Sequence, residues 1–373
     1  MNRIIIYKGD SDSFNKLLPK KYKTLSELVI KSDFERSKYR LEIPGKEYIQ
    51  KKLKIENFII LNNEYSGVNN HIIENFNGFL NNYYIKNLFI NNPPKIIENQ
   101  LKAKFKNKVE IIHQNYKKFD LDSINKFNNK FKEKIIGQDH ILKELNIFLC
   151  MNFKNETIKP IVIMFYGEPG IGKTETAKLL AESLGENLFR KQFSMFQNQN
   201  ALDYLVGSTY KEDSLSKELQ SRSSNIILFD EFDKVPDIFY SSFYQLFDEG
   251  ILEDNVYKTK LKNSIIICTS NLKSEIQIKE KLGSAIFSRF DEFINFKELS
   301  EESSKLIISK EMDKLLSELS EDDLKYLNIE CLKICLISNA KYFKNVREIR
   351  KYLKKLIYKN IFENIVKKTT NTI

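Results

Sequence analysis

Short apolar runs and helically spaced apolar positions alternate along the first 130 residues. Arg3 to Lys8, Asn57 to Leu61, Asn87 to Ile90 and Val109 to His113 read as short buried strands. Leu25 to Phe34, Asn70 to Tyr84 and Lys95 to Phe105 read as helices between them, the last opened by the turn at Pro93-Pro94. That alternation predicts a small parallel α/β domain over residues 1–116. The polar stretch from Lys117 to Lys134 reads as a linker. Three further runs, Pro160 to Tyr166, Ile226 to Phe229 and Ile265 to Asn271, suit parallel strands buried on both faces. Ala177, Leu180, Ala181 and Leu184 recur at helical spacing and predict a helix from Lys173. Residues 135–297 are thus expected to form a second, larger α/β domain. Beyond Phe296, amphipathic patterns over Ser303 to Leu319, Glu330 to Ser338 and Val346 to Ile365 predict a small helical domain over residues 298–366. Residues 367–373 read as a frayed tail.

Composition changes this picture little. A chain of 373 residues has room for two or three domains, and 42% hydrophobic content is ordinary for folded protein. No apolar run reaches the ~18 residues of a membrane span. The start, Met1 to Gly9, has too short an apolar part for a secretory signal. Cys150, Cys268, Cys331 and Cys335 form no C-x-x-C pair and read as buried thiols of a reducing cytoplasm. His71, His113 and His140 are isolated and read as structural. The net charge of +10 permits contact with nucleic acid. Lysine runs such as Lys102 to Lys108 read more simply as the solvated face of a helix.

Residues 167 to 174 carry the chemistry. They read Gly-Glu-Pro-Gly-Ile-Gly-Lys-Thr, a complete phosphate-cradling loop between a predicted strand and a predicted helix. Gly167, Gly170 and Gly172 let the backbone turn its N–H groups toward phosphate oxygens, with Glu168, Pro169 and Ile171 between them. Lys173 reaches the β- and γ-phosphates, Thr174 offers a hydroxyl to Mg²⁺, and Glu175 continues into the helix, whose positive end faces the anion. The cofactors expected are ATP and Mg²⁺. A second strand feeds Asp230 and Glu231. A carboxylate at the end of such a strand lies where ligands collect in open α/β sheets. Asp230 is placed to hold the metal, and Glu231 to orient and polarise an attacking water.

At this point the chain resembles the Clp-type AAA+ ATPases, most closely the second ATPase module of the disaggregases and unfoldases. The likeness runs from about Ile135 to Leu356. Ile135-Ile136-Gly137-Gln138-Asp139 resembles the family's adenine-side box, which implies nucleotide contacts from Ile136 and Gly137. Asp230 to Lys234 with Pro236, Asp237 and Phe239 matches the second acid motif, and Gln245 to Gly250 the helix end after it. The resemblance makes Asn271 the sensor asparagine, Arg289 in Phe287-Ser288-Arg289-Phe290-Asp291-Glu292 the arginine finger, and Arg347 the second sensor. It implies a P-loop core with a helical lid, and a ring, most often of six subunits, in which Arg289 acts on the neighbour's nucleotide. A finger acting in this way is worth about 10³–10⁵ in rate. Only eight of the 60 basic residues are arginine, so two of them falling at these positions carries weight.

There are departures from the family pattern. Polypeptide-threading members carry a glycine-flanked aromatic in a pore loop. Here Leu205 to Asp213 is shorter and lacks the flanking glycines, leaving Tyr210 as either the pore residue or an ordinary exposed tyrosine. Leu272 to Ala285 lacks the loop that docks on a peptidase ring, which argues against such docking. Ser284-Ala285 and Asn345 replace the usual Pro-Glu and Gly. The expected activity is ATP hydrolysis that remodels or unfolds a protein partner chosen by residues 1–116. The alternatives are an ATP-dependent assembly switch that recruits an effector without threading, and an ATPase acting on nucleic-acid complexes.

Overall fold

The computed structural model describes residues 1–37, 52–152, 159–196 and 200–370. Two five-stranded sheets organise the chain, and every neighbouring pair of strands in both is parallel. The first sheet contains β1 (Arg3–Lys8), β2 (Lys23–Thr24), β3 (Leu53–Ile60), β4 (Tyr83–Asn91) and β5 (Val109–His113), in the order β2-β3-β4-β1-β5. One face, with Ile4, Ile6, Phe58, Leu88 and Ile90, packs on the helices Leu25–Ser37 and Lys95–Phe105. The other carries a smaller cluster of Ile5, Tyr7, Phe14, Ile59 and Phe89.

The helix expected over Asn70 to Tyr84 is broken. Asn75 leaves helical dihedrals and caps a second short helix by accepting from the Gly78 N–H at 3.1 Å. Tyr83 and Tyr84 already belong to β4, paired with Leu53 and Lys54. The expected linker differs too. Leu121–Lys134 is a helix opened by an Asp120–Ser123 capping box, and its Ile124, Phe127 and Phe131 are buried against the second sheet. Lysine and asparagine fill its solvent face and mask the apolar spacing.

The second sheet contains β6 (Ile161–Tyr166), β7 (Phe189–Gln192), β8 (Ile226–Asp230), β11 (Ile265–Ser270) and β12 (Glu292–Asn295). A hairpin of β9 (Ile251–Glu253) and β10 (Lys258–Lys260) stands apart from it. The order is β12-β6-β11-β8-β7. Val162, Met164, Ile227, Phe229 and Cys268 enter one core, while Ile163, Phe165, Leu228 and Ile267 enter the other. Burial on both faces is why these strands read as unbroken apolar runs. Register aligns their carboxyl ends: Ser270 lies opposite Tyr166, and Gln192 opposite Asp230.

After β12, the helices Glu301–Ser317, Ile329–Ser338 and Val346–Thr370 pack around Ile308, Met312, Leu336, Ile349 and Leu353. The last helix runs through Thr370, past the expected start of the tail, and residues 371–373 lie outside the described residues. Cysteine burial departs from expectation. Cys268 is buried in β11, but Cys150, Cys331 and Cys335 are exposed. Leu332 and Leu336, one position further on, take the inner face of the helix carrying Cys331 and Cys335. Among the described residues no helix is long and apolar enough to cross a membrane.

Candidate functional site

The loop at residues 167–174 leaves β6 and enters the helix Lys173–Ser183. Gly167, Gly170 and Gly172 all hold positive φ. At Gly167 a Cβ would collide with the Phe296 carbonyl oxygen, so the loop is pressed against the strand end and only glycine fits. Ile171 is buried in the core below and anchors the loop. The Gly167 N–H donates to Leu272 O at 3.0 Å, tying the loop to the chain that follows β11.

Lys173 is buried, and its Nζ donates to Gly167 O at 2.5 Å, Glu168 O at 2.8 Å and Asn271 Oδ1 at 3.1 Å. Burial pushes its pKa down to about 8; Asp230, Asp233 and Glu168 oppose that, and Arg347 adds to it. The Thr174 hydroxyl lies 3.4 Å from both carboxylate oxygens of Asp230. Asp230 is 6% exposed and accepts from the Thr269 hydroxyl at 2.6 Å. That hydroxyl in turn accepts from the Glu231 N–H at 2.8 Å. Glu231 sits in the left-handed region at φ 57°, a strained position for a non-glycine residue that turns its side chain out of the strand. Gln192 Nε2 donates to Glu231 Oε2 at 3.3 Å.

Lid residues reach the same loop. The Val346 N–H donates to Gly170 O at 3.1 Å, and a Cβ on Gly170 would sit 3.1 Å from Arg347 Cγ. Ile136 packs on the lid cluster, and Gly137, at φ 79°, faces Ser303. Glu168 pairs with Lys273 at 2.5 Å, Pro169 stays within the loop, and Glu175 lies in the first turn of the helix. The Thr174 hydroxyl and the Asp230 carboxylate form an all-oxygen donor pair that fits Mg²⁺ held mainly by phosphate and water.

Residues 159–323 match the AAA domain (Cdc48 subfamily). The chaperone protein ClpB of Malacoplasma penetrans is 30% identical over 271 residues, which are 65% of this chain and 38% of that protein. ClpB of Clostridium tetani is 28% identical over 288 residues, covering 66% of this chain and 32% of its own length. The ATP-dependent Clp protease ATP-binding subunit ClpL of Staphylococcus aureus is 28% identical over 219 residues, covering 52% and 31%. Over residues 159–323 the chain is thus similar to the AAA+ modules of these Clp-family proteins. The chain spans no more than about two-fifths of the length of these relatives.

Within the AAA+ domain, Lys173, Thr174, Asp230, Glu231, Asn271 and Arg347 converge on one edge. Arg289 does not join them. Its Nε donates to Asp248 Oδ2 at 2.8 Å and its guanidinium lies 4.6 Å over the Tyr244 ring, on the helix Tyr240–Glu249. Tyr210 is not the ordinary exposed tyrosine of the second sequence reading. It is half-buried and packs against the core of the first sheet's unit. Leu272 to Ala285 is largely helix, Glu275–Phe287.

Sequence reasoning missed three members of the AAA+ site. Arg190 on β7 donates from Nε and Nη2 to Asp230 Oδ2 at 3.0 and 2.5 Å. Thr269 links Asp230 to Glu231, and Gln192 holds Glu231. The scarcity of arginine was the available signal for Arg190. Gln138, named in the sequence only as part of the adenine-side box, is fully buried. Its amide exchanges hydrogen bonds with the Lys297 backbone, donating at 2.7 Å and accepting at 3.2 Å, at the junction of core and lid.

Proposed function

We propose that this chain hydrolyses ATP with Mg²⁺ and assembles into a ring, a hexamer by family resemblance, that remodels a protein partner engaged by residues 1–116. The convergence of Lys173, Thr174, Asp230 and Asn271 at one sheet edge carries the reading. Loop amides and Lys173 grip the triphosphate, while Thr174 and Asp230 hold the metal, which neutralises developing charge when bound. Glu231 orients the attacking water, and Asn271 fixes Lys173 beside it. Arg347 brings the lid onto the loop, with Ile136 and Gly137 on the adenine side. Residues 135–297 and 298–366 then act as core and lid. Arg289 points away from its own loop, which suits completion of a neighbour's site.

The test is hydrolysis measured against protein concentration. Wild-type turnover per chain is expected to rise with concentration. Arg289→Ala should bind nucleotide normally and lose about 10³-fold or more of turnover. Arg289→Ala mixed with Glu231→Gln should regain part of it, because each supplies what the other lacks. Wild-type-like hydrolysis by Arg289→Ala sinks the ring mechanism.

One observation favours a second reading, a switch that does not thread polypeptide. Tyr210, in the curtailed pore-loop segment, is packed against the amino-terminal unit. Persistent hydrolysis with no unfolding of a tethered fluorescent substrate selects the switch. Stimulation by nucleic acid with steep salt dependence selects the third alternative. A cytoplasmic location is part of the same proposal.

A further inference from the structure

A cleft of about 790 Å³ opens between the amino-terminal unit and the AAA+ domain. That is within the roughly 300–1,000 Å³ of small-molecule sites. The carboxyl ends of β1 and β5, at Lys8 and His113, form one side. Gln220, Arg222 and the segment from Lys258 to Asn263 form the other. Ligands of parallel α/β sheets collect beyond such strand ends. None of the lining residues belongs to the phosphate loop.

The charge is one-sided. Eight cationic side chains and two carboxylates line the cleft, a surplus larger than half of the chain's net +10. Both carboxylates already have partners. Glu98 pairs with Lys8 at 2.7 Å and Lys102 at 2.6 Å, and Glu253 with Lys95 at 2.9 Å and Lys258 at 2.7 Å. Lys260 and Lys262 are exposed and have no ion pair among the described residues. His113 senses this field: partial burial first, then repulsion by Lys8 and Lys260, holds its pKa below the ordinary value. In the wall, Gln220 is 4% exposed with both side-chain amide atoms unpartnered, and buried Arg222 has an unpartnered Nε. Leaving such groups unmatched is costly. Tyr116 stacks on the Arg222 guanidinium at 4.3 Å and closes that wall.

We propose that this cleft binds a small polyphosphorylated molecule of nucleotide size. Its phosphates are gripped by lysines from both units, with Lys260 and Lys262 as the uncommitted pair, and its binding fixes the amino-terminal unit on the AAA+ domain. A bounded cleft between two walls suits a small ligand better than a continuous strand of nucleic acid.

The experiment uses the full chain carrying Lys173→Ala, which silences the phosphate loop, titrated calorimetrically with inorganic tripolyphosphate. One site per chain is expected. Adding Lys260→Glu with Lys262→Glu should weaken it by about tenfold or more. Adding Lys354→Glu with Lys355→Glu, the same charge change at exposed positions of the last helix, should leave it within about twofold. Melting of each variant without ligand checks the fold, and Lys262→Gln supplies a milder loss should the reversals perturb it. Equal losses in the two double variants, or no binding up to about 1 mM, overturn the proposal. So does a single-stranded oligonucleotide that binds here and resists displacement by tripolyphosphate. Because Lys173 is already removed, failure here leaves the phosphate-loop reading untouched.

Discussion

Arg190 rests two guanidinium nitrogens on one carboxylate oxygen of Asp230, while Thr269 occupies the other oxygen at 2.6 Å. The strand pairing that puts Gln192 opposite Asp230 delivers Arg190 to this position. A carboxylate only 6% exposed thereby keeps a counter-ion. In protein stripped of nucleotide, Arg190→Ala should lose roughly 1–3 kcal/mol of unfolding free energy. The figure is set below that of a fully buried pair because Arg190 itself is 47% exposed. Arg190→Lys should recover only part, since it lacks the planar fork. Because Arg190 competes for the same oxygen, its removal should also lower the Mg²⁺ concentration needed for half-maximal nucleotide binding. An unchanged denaturation midpoint would show that the pair contributes nothing.

Gln138 joins core and lid through two hydrogen bonds to the Lys297 backbone. Gln138→Ala strands both Lys297 groups and should cost about 1–3 kcal/mol. Hydrogen exchange at residues 297–300 should quicken, and nucleotide should bind more weakly because Arg347 no longer meets the loop in register. Gln138→Glu keeps the acceptor and loses the donor, so an intermediate effect is expected.

Tyr210 links the curtailed loop to the amino-terminal unit. Nearby, the Lys95 N–H donates to Val256 O at 2.9 Å and its Nζ to Asp254 O at 2.6 Å. Tyr210→Ala should raise hydrogen exchange in residues 95–101 and 205–213 together, with ATP turnover within about twofold of wild type. Faster exchange confined to 205–213 would mean that the contact does not couple the two units.

Glu98 lies between Lys8 and Lys102, and the Lys8–Glu98 side chains are only 17% and 13% exposed. Burial alone would raise its pKa, but the two ammonium groups outweigh it and the net shift is downward. A carboxylate lowered on folding adds stability above its unfolded value, near 4.5, and that stability is lost as pH falls through the folded value. Glu98→Gln should therefore cost about 1–2 kcal/mol at pH 7. Urea unfolding at a series of pH values should show the deficit shrinking below about pH 4.5. A deficit independent of pH would mean that packing, not charge, is responsible.

Much of the site was legible because its parts are local. The loop from Gly167 to Thr174 is contiguous, and Asp230, Glu231 and Asn271 each end an apolar run. Arg190, Thr269 and Gln192 were not legible, because each acts through a neighbouring strand. Nothing in Phe189-Arg190-Lys191-Gln192 announces pairing with β8. The packing of Tyr210 was hidden for a similar reason: its neighbours in the chain are polar, and the surface it covers belongs to the amino-terminal unit. The helix Leu121–Lys134 was hidden by its own solvent face, although Ile124, Phe127 and Phe131 keep helical spacing.

The sequence alone determined the chemistry of the phosphate loop, the strand-end acids and the alternation that makes both units parallel α/β. These depend on backbone freedom at glycine, on side-chain type and on short periodicities, all properties of neighbouring residues. The tertiary structure decided that Arg190 guards Asp230, that Arg289 turns from its own loop, and that lysines from two units face one cleft. Those outcomes depend on strand order and on how the two sheets meet, which bring together residues that the chain itself keeps far apart.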